Sequence, residues 1–176
     1  TTVIPYVKTI ALSKTSYAYN GKIQKPSVTV KDAKNGSLKF NTDYTVIYSG
    51  GQKNAGTYKV VVKGKGNYDF TKTLTYKITK ATATVKISTS SKTVKYRKVK
   101  KKKQTFNLSA SASSKGKLTY KKTSGNNKIT VSKTGKVTVK KGLKKGTYKV
   151  KIKVSAAAVT NYNAASATKT IKVVVK

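Results

Sequence analysis

"GTYKVVVKGKGNY" (residues 56–68) and "GTYKVKIKVSAAAVTNY" (146–162) are two versions of one pattern, and that pattern decides the fold. In each, Gly-Thr-Tyr opens a run with a period of two. Tyr58, Val60 and Val62 alternate with Lys59, Val61 and Lys63, while Tyr148, Val150, Ile152 and Val154 alternate with Lys149, Lys151 and Lys153. Alternation sends successive side chains to opposite faces of a strand, so each run has one buried face and one in water. Each is followed by a further strand-like segment, "TKTLTYKI" (71–78) and "TKTIKVVV" (168–175). Tyr58 and Tyr148 stand 90 residues apart, about the length of one β-sandwich domain.

The same period occurs at "SVTV" (27–30), "DYTVIY" (43–48), "KLTY" (117–120), "KITV" (128–131) and "KVTV" (136–139). Turn signals separate these runs: Asn35-Gly36, Gly50-Gly51, Gly64 to Asn67, Thr134-Gly135 and Gly142. No segment holds a helical period. The expectation is an all-β chain of two tandem sandwich domains, residues 1–80 and 81–176, with 1–7 a linker from a preceding segment. The joint "ITKATATV" (78–85) has neither Gly nor Pro, which predicts a stiff connection.

Charge bounds the function. Residues 1–80 hold 14 Lys and three Asp, for +11; residues 81–176 hold 25 Lys, one Arg and no acid, for +26. High net charge alone would suggest disorder, but a disordered tail shows no hydrophobic period, so the chain folds. A field of this size attracts polyanions. Of the 40 cations, however, 39 are Lys, and base-specific recognition favours the planar Arg fork. No specific nucleic-acid partner is expected. No apolar run approaches the ~20 residues of a membrane helix, so no membrane insertion is expected either. No signal peptide opens the chain, which points to a mature or excised piece of a longer protein.

The segment "KLTYKKTSGNNKITVSKTGKVTVKKGLKKGTYKVKIKV" (117–154) resembles the bacterial immunoglobulin-like domains of group 2, through its "ITV", "TGKV" and "GTY" elements. The stretch "LSKTSYAYNGKIQKPSVTVKDAKNGSLKFNTDYTVIYSGGQKNAGTYKVVVKGKGNYDF" (12–70) is similar to another immunoglobulin-like repeat, found in large surface proteins of gut Firmicutes. The resemblances imply two tandem immunoglobulin-like sandwiches in an extracellular setting, on a bacterial surface or secreted. They imply roles as stalks, adhesin modules or accessory domains of glycan-active enzymes, with flanking domains in a larger chain. They supply no shared binding residue.

Little in the chain can carry catalysis. There is no His, Glu or Cys, and the only side-chain carboxylates are Asp32, Asp43 and Asp69, on separate segments. "SATK" (166–169) and "KTG" (133–135) echo a Ser/Lys acyl enzyme, but in the wrong chain order. A Lys–Asn isopeptide cross-link by the carboxyl-assisted route is excluded from the second domain, which has no acid. The chain is therefore expected to be non-catalytic and monomeric, with no cofactor and no metal site.

Two binding readings remain. Tyr68 and Tyr162, beside Asn67 and Asn161 in hairpin loops, are candidate glycan-stacking residues. The other reading is diffuse attraction to an anionic polysaccharide, teichoic acid or mucin glycan. Its candidates are "KYRKVKKKKQTF" (95–106) and the one-sided ladder Lys149, Lys151 and Lys153. In the former, Lys95, Arg97, Lys98, Lys100, Lys101, Lys102 and Lys103 are interrupted by Val99, a candidate anchor. This run is expected to be the loop between the first two strands of the second sandwich, "KTVKY" (92–96) and "TFNLSA" (105–110). Equally, the lysines can serve simply as a solvated face that discourages edge-to-edge pairing.

Overall fold

The computed structural model describes residues 7–34 and 36–176. Asn35 of the expected Asn35-Gly36 turn lies outside the described residues, as do residues 1–6 of the expected linker; Val7 already opens the first strand. The chain divides after Ala81 into two compact units. It is all-β apart from one short helix.

Unit 1 contains β1 (Val7–Leu12), β2 (Ser16–Ala18), β3 (Val28–Asp32), β4 (Gly36–Ser37), β5 (Tyr44–Tyr48), β6 (Gly56–Gly64) and β7 (Thr71–Thr79). One sheet has the order β1-β3-β4, the other β2-β7-β6-β5. The first strand is thus split between sheets, since β1 runs antiparallel to β3 while β2 runs parallel to the last strand, β7. A hydroxyl-rich stretch makes the switch. Ser13 exchanges hydrogen bonds with Ser27, its N–H donating to the Ser27 carbonyl and its Oγ accepting from the Ser27 N–H, both at 2.9 Å. Such side-chain bonds let the backbone leave one ladder without orphaning its polar groups.

Unit 2 repeats the device. It contains β8 (Val85–Ile87), β9 (Ser91–Val94), a helix α1 (Tyr96–Lys101), β10 (Gln104–Asn107), β11 (Ala110–Ala112) and β12 (Leu118–Ser124). After these come β13 (Ile129–Val131), β14 (Lys136–Val139), β15 (Gly146–Ala156) and β16 (Ala165–Val175). Here β8 pairs with β11, β10-β14-β13 form a second sheet, and β12-β15-β16-β9 form the third, with β9 parallel to the last strand, β16. At the switch, Thr89 Oγ1 accepts from the Ser109 N–H at 2.8 Å. The expected opening strand, 92–96, therefore proves to be only the second half of the first strand, β9; the first half, β8, lies earlier and in a different sheet, and Tyr96 already belongs to α1.

The "GTY" tyrosines close the comparison. The Tyr58 hydroxyl donates to the Asn54 carbonyl at 2.7 Å, and the Tyr148 hydroxyl to the Lys144 carbonyl at 2.9 Å. Each thus reaches back four residues from the start of the penultimate strand, as a tyrosine corner does. A switched first strand, sheets packed face to face on one core and a tyrosine corner define both units as immunoglobulin-like sandwiches.

The two cores differ. Unit 2 is filled by aliphatic side chains, among them Ile129, Val137, Val139, Val150, Ile152, Ile171 and Val173, all fully buried. Unit 1 is built on tyrosine. Tyr76 takes Tyr17 edge-on (centroids 5.9 Å apart) and stacks with Tyr58 (5.5 Å). The hydroxyls of Tyr76, Tyr48 and Tyr44 donate to the carbonyls of Gln24, Pro26 and Val28, at 2.9, 2.5 and 3.1 Å. Three phenols thus bind every second carbonyl of the stretch leading into β3. Pro26 lacks an N–H for a ladder, so side chains supply what strand pairing elsewhere provides.

Burial raises the pKa of Tyr76 above the ordinary phenol value, and burial with the neighbouring Tyr17 and Tyr44 does the same for Tyr48. The folded state thus favours the protonated phenols. Their contribution is full below the ordinary value of about 10 and is lost as pH rises through the raised one. Tyr76→Phe is expected to cost unit 1 about 1 kcal/mol in urea unfolding at neutral pH. The same variant should flatten the alkaline limb of the stability profile, and an unchanged limb would contradict this assignment.

Candidate basic interface of unit 2

The basic run 95–103 is not a loop, as its charge density suggests, but contains the helix α1. Its residues allow this, because Lys and Arg are good helix formers and Tyr96 and Val99 share a face at a spacing of three. Val99 is fully buried and Tyr96 half-buried against the unit 2 core. Lys98, Lys100 and Lys101 occupy the last turn, where cations complement the helix dipole. The seven cations of the run, Lys95, Arg97, Lys98, Lys100, Lys101, Lys102 and Lys103, are all exposed.

Two backbone bonds fix this helix to the sandwich. The Tyr96 N–H donates to the Lys176 carbonyl at 2.7 Å, and the Val99 carbonyl accepts from the Gly142 N–H at 3.1 Å. The second bond brings a second basic segment alongside, "KKGLKK" (140–145). Gly142 has φ +77°, a left-handed turn that glycine adopts without strain, and Leu143 is buried. The Tyr96 ring lies between the two segments, with Lys100 Nζ at 5.8 Å and Lys145 Nζ at 5.6 Å from its centroid. Lys140, Lys141, Lys144 and Lys145 therefore join the predicted seven cations at one end of unit 2, a unit without a single acidic side chain. The contribution of 140–145 is absent from the sequence reading. Its signal was present all the same, since it repeats the motif of charges around one apolar anchor, Leu143 here and Val99 in the helix.

From Lys145 the chain enters β15, where Lys149, Lys151 and Lys153 are exposed while Val150, Ile152 and Val154 are buried. At ~3.3 Å per residue, Lys145 to Lys153 spans about 26 Å. The ladder thus runs from the basic end along the open face of the sheet. Register dilutes much of the charge, with Lys151 facing Thr170 and Lys153 facing Thr168. Two oppositions are like-charged, Lys149 with Lys172 and Lys121 with Lys153. Two lysines on inward phases end on oxygen atoms. Lys122 Nζ donates to the carbonyls of Asn126 and Ile129, and Lys169 Nζ to the Ile87 carbonyl and Ser90 Oγ.

The tyrosine candidates fare differently. Tyr68 is not an exposed loop residue. It is 9% exposed, belongs to the unit 1 core, and its hydroxyl donates to Asp32 Oδ2 at 2.9 Å. Asp32 is itself buried and also accepts from the Lys34 N–H. A carboxylate buried at the end of β3 needs a donor, and the phenol supplies it; Tyr68 is thereby withdrawn from stacking. Tyr162 is half-buried, and its carbonyl accepts from the Val159 N–H at 3.0 Å. Among the described residues no group of three or more His, Cys, Asp or Glu is placed to hold a metal, and no helix is long and apolar enough to cross a membrane.

No protein-family model and no curated protein sequence matches the chain. Among solved structures it is similar to Sidekick-1 immunoglobulin domains 1–4, at 9% identity and TM-score 0.46, over 98% of this chain and 48% of that one. It is also similar to the three N-terminal domains of the bacteriophage RB49 highly immunogenic outer capsid protein Hoc, at 14% identity and TM-score 0.36, over 96% and 69%. A third is the Yersinia pseudotuberculosis adhesin InvE, at 15% identity and TM-score 0.33, over 93% and 58%.

The opposed lysines give a direct test of the register. Lys149→Thr is expected to stabilise unit 2 at low salt by a few tenths to about 1 kcal/mol, because it relieves repulsion from Lys172. Added salt should raise the wild-type melting temperature and narrow the gap between the two proteins. Val99→Ala should cost about 1–2 kcal/mol by leaving a hole under α1. Differential scanning calorimetry over a salt series reads all three effects.

Proposed function

We propose that this chain is a non-catalytic extracellular module of a bacterial surface or secreted protein. It spaces or anchors a larger chain and attaches electrostatically to an anionic polymer, either a cell-wall teichoic acid or an acidic mucin glycan. The observation that carries this reading is the bond between Gly142 and Val99, which joins two basic segments of a unit that contains no acid. Evenly spaced, exposed ammonium groups then continue along β15. Such an array suits a long, flexible polyanion, whose bound counterions are released on contact. Lysine suits it as well, being a compact point charge that makes no demand on the geometry of its partner.

The alternative, glycan recognition by loop aromatics, loses Tyr68 to the core and keeps only the half-buried Tyr162.

Retention on immobilised teichoic acid, mucin and heparin, followed through a salt gradient, tests the proposal. All three polymers should retain the chain at low salt, with affinity falling steeply and linearly on a log–log scale. A variant carrying Gln at Lys98, Lys100, Lys101, Lys144 and Lys145 should elute at lower salt and show a shallower slope. Absence of retention at low salt, or an elution position unmoved by those five substitutions, would overturn it.

A further inference from the structure

Lysine on an edge strand discourages further pairing. Of the edge strands with five or more residues, β1 carries Lys8 and β12 carries Lys121 and Lys122, but β5 carries no charge. Among the described residues no strand pairs with its outer side, since β5 ends the order β2-β7-β6-β5. The ladder with β6 determines which backbone groups are left over. The Lys65 N–H donates to the Asp43 carbonyl and the Ser49 N–H to the Lys59 carbonyl, both at 2.9 Å, so the odd-numbered residues bond to β6. In an antiparallel pair the alternate residues point their N–H and C=O the other way. The Tyr44 carbonyl is taken by the Asn41 N–H at 2.8 Å. Val46 and Tyr48 therefore present their backbone groups to the free edge, where a further strand can bond.

Both sides of that edge can receive side chains. On the core side, Val46 borders an open cleft of about 290 Å³ between β5 and the start of β3, lined also by Ser27, Val28, Phe40, Tyr44 and Tyr48. Phe40 sets its ring edge-on to Tyr44, with centroids 5.9 Å apart, yet is 56% exposed. Alternate side chains of an added strand lie against Val28, Val46 and Phe40 in this cleft, with no opening of the core. On the outer side three pairs follow in a row: Thr45 with Lys63, Ile47 with Val61 and Ser49 with Lys59. Ile47 is 61% exposed, and both lysines are exposed. An added strand lies two strand spacings from β6, about 9.6 Å. Only the small Thr45 and Ser49 stand between, so a glutamate on that strand and a lysine on β6 meet above them. The outer face therefore calls for acid, apolar, acid at alternate positions. Asp43, the acid that precedes β5, lies beyond this pattern, opposite Lys65, and accepts from the Lys39 N–H at 2.8 Å.

We infer that the β5 edge binds an extended segment of another protein, added as an antiparallel strand with the pattern acid-x-apolar-x-acid. Its carboxylates face Lys59 and Lys63, its central apolar residue lies beside Ile47, and the two x side chains enter the cleft. Backbone bonds to Val46 and Tyr48 supply affinity, and the alternating side chains select the partner. Charge decides against a second copy of this chain. A copy paired through its own β5 brings two more lysines, and a net charge of +37, where the pattern needs carboxylates. The site belongs to unit 1 and does not depend on the polymer attachment proposed above, so either can fail without the other.

The test is an amide-resolved NMR titration of the whole chain with synthetic peptides in about 0.15 M NaCl, where distant charges are screened. The probe is Gly-Ser-Glu-Val-Val-Val-Glu-Ser-Gly, capped at both ends. It should give saturating shifts in residues 44–48 and 59–63 and slow the exchange of the Val46 and Tyr48 amide protons. The same peptide with lysine in place of glutamate should not bind. Methylating the backbone nitrogens of its first and third valines should abolish binding too, because these are the donors to the Val46 and Tyr48 carbonyls. Lys59→Gln with Lys63→Gln, at exposed positions away from the core, should weaken binding by about tenfold. Shifts that move instead to residues 95–103 and 140–145 would overturn the inference, as would the absence of saturating shifts. Equal binding of the lysine or the methylated peptide would do the same, and so would unchanged binding by the double variant. Concentration-dependent shifts at residues 44–48 without peptide would assign the edge to a second copy instead.

Discussion

Forty cations share this chain with three carboxylates, so ion pairing can neutralise at most a few of them, and nearly every ammonium must end in water, on a neutral oxygen or over an aromatic ring. That constraint selects the architecture. A β-strand offers a wet face at every second residue, and the strict Lys–apolar alternation of β15 fills one face with Val150, Ile152 and Val154 and the other with Lys149, Lys151 and Lys153. Where a lysine falls on the wrong phase, the structure supplies oxygen atoms. Lys122 reaches two carbonyls, and Lys169 reaches one carbonyl and a serine hydroxyl. Threonine completes the scheme, because it favours strands and can face a lysine without repelling it. In unit 1, Thr57 faces Lys77, Lys59 faces Thr75 and Lys63 faces Thr71.

One topology is nevertheless stabilised in two ways. Unit 2 relies on interlocking aliphatic side chains, for which burial of apolar area is the main contribution. Unit 1 has fewer such side chains and uses phenols that contribute both ring area and a directed hydrogen bond. Tyr44, Tyr48 and Tyr76 hold the carbonyls of residues 24–28, and Tyr68 satisfies Asp32. The abundance of tyrosine is therefore first a matter of folding. The rings of Tyr44, Tyr68 and Tyr76 are consumed by the interior of unit 1 before they can serve as a platform for sugars.

The all-β class and the main strands were legible in the sequence, because a period of two with glycine turns is a local signal that tertiary context seldom overrides. The split first strand was not. Its halves differ only in which distant strand they pair with, and hydroxyls such as Ser13 and Thr89 look like ordinary loop residues until their partners are known. Helix α1 was hidden for another reason. Six residues hold fewer than two turns, too short for a period to emerge, and only the burial of Val99 gives the helix a reason to form. Tyr68 misled because its neighbour Asn67 and two glycines mark a turn, while the decisive fact, a buried carboxylate 36 residues earlier, is nonlocal.

The same nonlocality explains how a basic surface becomes more than a composition. Taken alone, either 95–103 or 140–145 is a charged segment with one apolar residue, and in a free chain each would spread its charge over many conformations. Burial of Val99 and Leu143, with one backbone bond between the segments, fixes them side by side. A polyanion arriving there meets a charge array whose backbone is already ordered, so less conformational freedom is lost on binding than with a disordered basic arm. The like-charge repulsion held in that arrangement is balanced by the core beneath it. The small apolar anchors, more than the lysines around them, are therefore what turns a high net charge into a mounted basic surface.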